Sequence, residues 1–184
     1  MKGQNKPREQ ARHKAAVMGK AGEFSCRAVD GGSGAASLRR VSDPLSWLLP
    51  LHLAVTGAMA GVLAVVQAAV YPLFDAVGRE EFAAYHRRYT ARIGWVVGPL
   101  MAAELVTAVL LLAAGLRGGA FGGSLALLGL VWATTAGVQV RLHRRLAAGF
   151  DPSAYRRLVA TNWVRTAAWA ARAGLVAWVM AGRG

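Results

Sequence analysis

The chain has 184 residues, enough for one domain, and 55% of them are hydrophobic. Its mean hydropathy of +0.34 lies above that of an ordinary soluble domain, and its one cysteine, Cys26, excludes an intrachain disulfide framework or a cysteine metal centre. The formal charge of +13 would suggest nucleic acid on a soluble chain, but the basic residues sit in an N-terminal tail or flank apolar runs, where they meet anionic lipid instead.

Residues 1–44 are polar and carry nine Lys and Arg, with Gly-Gly-Ser-Gly at 31–34. Nothing in them buries a core, so they are expected to form a disordered basic tail. Their basic start is followed by polar sequence, which is not the pattern of a secretory signal. Residues 45–184 then form the membrane domain.

The first span runs from about 47 to 71, uncharged over more than the ~20 residues that cross a bilayer. Pro50 falls in its first turn and Pro72 marks its end. The second span, 93–116, holds one acid, Glu104. A glycine-rich turn around Arg117 and Gly122-Gly123 leads to the third span, 124–140. The fourth, 162–180, contains Arg165 and Arg172.

Two connections are longer. In 75–92, Phe82, Tyr85 and Tyr89 lead to Ile93 as a helical stripe, which predicts an amphipathic helix lying at the interface. In 141–161, Asp151-Pro152 is a helix start, with Asp as N-cap and Pro at the first position. Tyr155, Leu158 and Val159 form its apolar face. The two halves share an order: a Gln near a span end (Gln67, Gln139), then Ala-Tyr with two arginines (Arg87-Arg88, Arg156-Arg157), then a span. That order suggests a parallel internal repeat. The expected fold is therefore all-α: a transmembrane four-helix bundle of two helical hairpins, with two interfacial amphipathic helices. The two long loops hold nine Arg, and the positive-inside rule puts them in the cytoplasm. The basic tail argues for the opposite side, so the sequence assigns no orientation.

Polar side chains in a bilayer face the bundle interior or a cavity. Each span offers one polar stripe: His52, Thr56, Gln67 and Tyr71; Glu104 and Thr107; Thr135, Gln139 and His143; Asn162, Arg165 and Arg172. Glu104 lies ~16 Å into its span at 1.5 Å per residue. Arg172 lies at nearly the same depth, which predicts a buried ion pair, with Arg165 as the competing partner. Such a pair either fixes helix register or belongs to a functional site. Gln67, Tyr71, Gln139, His143, Asn162 and Arg165 should gather at one end, with His86 nearby. His86, His143, Glu104, Asn162 and Arg165 together suit an anionic or quinone-like head group, or acid–base chemistry through His. His52 and His143 taken singly read as span-end histidines. No two of His86, Glu104 and His143 have helical ligand spacing, so no metal is expected. Matched transmembrane histidines for a haem are also lacking, and no cofactor is expected.

The runs Gln67-x-x-x-Tyr71-Pro72, Phe82-x-x-Tyr85-His86, Pro99-x-Met101-x-x-Glu104 and Asn162-Trp163-x-Arg165-Thr166 resemble those of small bacterial four-helix membrane proteins of the anthrone oxygenase-like family. The resemblance covers roughly 47–181. It implies a multi-pass protein of the cell (inner) membrane. Fungal members are linked to oxidation of polyketide anthrones to anthraquinones. From their clustering at the polar mouth, and not from the resemblance, His86, His143 and Arg165 are candidate catalytic residues. Gln67, Tyr71, Glu104, Gln139, Asn162 and Arg172 are candidate binding residues. The expected partners are the lipid bilayer and a small apolar or aromatic ligand, with no nucleic acid; a homo-oligomer also fits. The competing class is a non-enzymatic accessory protein or a small transporter subunit. Four spans are few for a carrier, and no phosphate-binding loop supports a pump.

Overall fold

A computed structural model describes residues 43–183. The tail read as disordered lies outside the described residues. Among the described residues the chain is all-helical, without strands.

Helix α1 spans Pro44–Val65. Asp43 caps it, its side chain accepting from the Leu45 amide at 3.0 Å. The helix thus starts before Trp47, and Pro50 lies inside it rather than in its first turn. A π-helical turn, Val66–Val70, and a short 3-10 turn, Tyr71–Leu73, continue the rod.

Helix α2 is a single rod, Arg79–Ala113, of 35 residues. It is ~52 Å long at 1.5 Å per residue, well beyond the ~30 Å of a hydrocarbon core. The stripe over 75–92 is therefore the first part of this helix, and no separate interfacial helix lies there. Nothing between Thr90 and Ile93 breaks the backbone, so the helix propagates. Glu80 and Glu81 in its first turn complement the helix dipole. Its end is sharp. Gly115 adopts φ +86°, the Gly115 amide donates to Leu112 O at 3.1 Å, and the Leu116 amide donates to Leu111 O at 3.0 Å. This is a Schellman closure, which requires the left-handed residue that glycine supplies. Leu111 and Leu116 share one apolar cluster over it.

Helix α3 spans Gly119–Thr134, so Gly122 and Gly123 are helical and not part of the turn. A second π-helical turn, Thr135–Gln139, joins it to α4, Val140–Leu146, as one rod of 28 residues. Each half of the chain thus places a glutamine, Gln67 or Gln139, in a π turn. After a short loop, Asp151 Oδ1 accepts from the amides of Ser153 and Ala154 at 2.8 and 3.1 Å and starts α5, Pro152–Ala181. This start matches the sequence expectation. The helix again runs on unbroken, so the second interfacial helix is also the first part of a long rod.

Three rods are long and apolar enough to cross a membrane: Pro44–Leu73, Arg79–Ala113 and Gly119–Leu146. The rod α5 is long enough but less apolar, because Asn162, Arg165 and Arg172 interrupt its middle. At most 28% of each apolar window is buried inside the protein. Most apolar side chains therefore face outward, as in helices that contact lipid. Trp95 and Trp178, 82% and 76% exposed, are the most outward of the large ones.

Helix α5 packs between α1 and α3, and α1 packs on α2, while the backbones of α2 and α3 do not approach closely. The interior is stacked in apolar and polar layers. One apolar layer holds Leu48, Leu49, Leu111, Phe121 and Val176. The middle one holds Met59, Leu63, Met101, Leu128, Val131 and Trp169. The third holds Val66, Tyr71, Phe74, Phe82, Leu142, Leu146 and Leu158. Buried polar residues fill the two intervals between them.

Candidate functional site

The first polar layer is closed. Glu104 and Arg172, each 0% exposed, form a hydrogen-bonded ion pair. Arg172 Nε also donates to Ser124 O at 3.0 Å, and its guanidinium lies 4.8 Å from the Trp169 ring centroid. Beside them His52 Nδ1 lies 2.7 Å from Thr107 Oγ1, while Thr56 donates to His52 O at 2.7 Å. His52 is therefore a fully buried member of this layer rather than a span-end residue. Starting α1 at Pro44 carries it deeper. Glu104 likewise belongs here with Arg172 and not at the mouth with the other histidines.

The second layer is hollow. Gln67 Oε1 accepts from Asn162 Nδ2 at 2.8 Å, and Asn162 Oδ1 accepts from Arg165 Nη1 at 3.2 Å. Gln139 Nε2 donates to Thr161 Oγ1 at 2.9 Å. This chain ties α1, α5 and the second π turn together. A π turn adds a residue to the backbone turn and re-aims the side chains around it, and here both turns deliver a glutamine to the layer.

Above this network lies an aromatic cluster. Phe74, from the loop after α1, is fully buried among Tyr71, Phe82, Tyr85, His86 and Tyr89, with ring centroids 5.1 to 6.0 Å away. His86 stacks on Phe82 on one side and on His143 on the other, with centroids 5.4 and 5.2 Å apart. His143 Nδ1 lies 3.2 Å from His86 Nε2, so one ring donates to the other. Tyr155 closes the cluster by donating to Tyr71 O at 3.1 Å.

A cavity of 380 Å³ opens beneath this cluster. Leu63, Val66, Ile93, Val97 and Val140 supply apolar wall. Tyr71, Tyr89, Gln139, His143 and Arg165 supply polar groups, with Arg144 at the exposed rim. Its volume falls in the range of small-molecule sites, and a few polar groups on apolar walls are their usual lining. The walls come from α1, α2, the α3–α4 rod and α5.

Of the sequence-predicted residues, Tyr71, Gln139, His143 and Arg165 line this cavity. His86 backs His143, and Gln67 and Asn162 hold Arg165 from behind. Glu104 and Arg172 lie in the other layer. The sequence reading gave Tyr89 a place only on an apolar stripe, and it missed Phe74 and Thr161 altogether. Tyr89 was legible as an aromatic on the same stripe as Tyr85. Phe74 carried no signal, because a loop residue has no periodicity. Among the described residues no group of three or more His, Cys, Asp or Glu is arranged to hold a metal ion.

In comparisons with protein-family models, curated proteins and solved structures, nothing matches this chain.

Proposed function

We propose that this is a multi-pass protein of the cell membrane whose second polar layer binds a small lipid-soluble aromatic molecule. In this reading all four long helices lie across the bilayer. The arginines of α5 are tolerated because α1 and α3 flank them and a carboxylate neutralises one of them. The observation that carries the proposal is the 380 Å³ cavity, apolar on most of its wall and lined by two rods, α2 and α3–α4, that are apolar enough to cross a membrane. A molecule dissolved in the bilayer reaches it without crossing water.

The residues then take distinct parts. Leu63, Ile93 and Val97 contact the ring system. Arg165 and Tyr71 face its oxygen atoms. His143, with one nitrogen spent on His86, keeps the other for the ligand and serves as the acid–base group. Gln67, Gln139 and Asn162 fix the frame. Glu104 and Arg172 set the register of α2 against α5. The resemblance to the anthrone oxygenase-like family adds an expected reaction, oxidation of an anthrone-like substrate, with His86, His143 and Arg165 at its centre.

Gly94 offers the test. It is on the cavity wall, and a Cβ built there meets nothing within 4 Å. Gly94→Leu should therefore fill the cavity without straining the bundle. In lipid nanodiscs, wild-type protein should bind anthraquinone above the level of empty discs. Gly94→Leu should lose that binding while keeping its thermal midpoint. Equal binding by both proteins would remove the cavity from the account.

The accessory alternative draws on the buried first layer, where an ion pair and a His–Thr contact hold α1, α2 and α5 together. It predicts a protein that binds no aromatic ligand in either form.

A further inference from the structure

Among the described residues two arginines are buried in the interior, and one of them pairs with a carboxylate. Arg172 pairs with Glu104. Among the described residues the other ion pair joins Arg183 to Asp43 at 3.8 Å, so no carboxylate reaches Arg165. Arg165 is 5% exposed and lines the cavity. Burying a guanidinium without a counter-charge is costly in an apolar surround.

The guanidinium is also held in one orientation. Its Nη1 donates to Asn162 Oδ1, which Gln67 positions in turn, while its Nε has no partner among the described residues. The edge formed by Nε and the second terminal nitrogen carries two parallel N–H donors, the geometry that matches both oxygens of a carboxylate. In Arg165 the Nε of that edge is buried and has no acceptor among the described residues. Tyr71, Tyr89 and Gln139 on the same wall bring no negative charge of the carboxylate kind.

Granted that the cavity is a ligand site, we infer that its ligand is an anion, a carboxylate on an apolar body, anchored by the guanidinium of Arg165. The carboxylate supplies the counter-charge that the described residues do not, and the apolar body lies against Leu63, Val66, Ile93 and Val97. Lys would not serve equally, because an ammonium is a point charge without the paired donors. The exposed Arg144 at the rim adds attraction for an anion arriving at the interface.

The experiment compares 9-anthracenecarboxylic acid with its methyl ester by fluorescence, on wild-type protein in zwitterionic nanodiscs, after subtracting partition into empty discs. The acid should bind roughly tenfold more tightly than the ester or better. Arg165→Gln should abolish that preference and leave ester binding in place. Arg156→Gln, a change at an exposed arginine outside the cavity, should leave the preference intact. Ester binding equal to or tighter than acid binding would overturn the inference while preserving the cavity as a ligand site. So would a preference that survives Arg165→Gln or disappears in Arg156→Gln. Binding of neither compound would overturn both. The wild-type comparison of acid with ester decides the matter even if Arg165→Gln fails to accumulate.

Discussion

Glu104 and Arg172 show how a buried charge is accommodated in this chain. Glu104 is matched by Arg172 within its layer, with both side chains withdrawn from solvent. Removing one member leaves the other uncompensated, which costs roughly 3–5 kcal/mol. Glu104→Gln and Arg172→Met should each lower the thermal midpoint of the detergent-purified protein sharply. The double variant should recover much of the loss, because the remaining groups are neutral and close in volume. Additive losses in that double-mutant cycle would show that the two residues are not coupled. This pair was legible in the sequence because equal depths on two helices can be counted. The placement of His52 was not. Its depth depends on where α1 begins, and Asp43-Pro44 starts the helix one turn earlier than the apolar run suggests.

At the scale of elements, sequence punctuation set the starts and stops, and its absence misled. Asp151-Pro152 starts α5 where the cap rule puts it, and Gly115 ends α2. Between 75–92 and the second span there is no stop signal. An amphipathic segment followed by an apolar one then reads as two helices, although the backbone makes one. The π turns at 66–70 and 135–139 left no mark in composition. Only the paired glutamines hinted at them. The cap itself is testable. Hydrogen bonds from Ser153, chiefly its hydroxyl, and from the Ala154 and Ser153 amides hold the Asp151 carboxyl below its ordinary pKa. A depressed carboxylate contributes stability that is present above its unfolded value and lost as pH falls through its folded one. The thermal midpoint of wild-type protein should therefore carry an acid-side decline that Asp151→Asn lacks, since an amide oxygen caps without titrating. Parallel acid profiles for the two proteins would assign the decline to other groups.

The described residues form a stack of alternating layers: apolar, polar and buried, apolar, polar and hollow, aromatic. The four polar stripes predicted this in outline, since side chains that share a face must meet. Depth counted along the helices separated Glu104 and Arg172 from the group at one end, but it did not place His52 in the first level, because that depends on where α1 begins. Nor did the stripes predict the cavity, which depends on how far apart the rods that line it are held. The central claim is that this hollow layer receives a ligand from the lipid. It is tested most directly by cysteine protection in a Cys26→Ser background, which removes the chain's one native cysteine. Val97→Cys places a thiol on the cavity wall, and Val109→Cys places one on an exposed, lipid-facing position of the same helix. Anthraquinone should slow labelling of Val97→Cys by a membrane-permeant maleimide and leave Val109→Cys unchanged. Equal labelling of Val97→Cys with and without the aromatic compound would contradict the account.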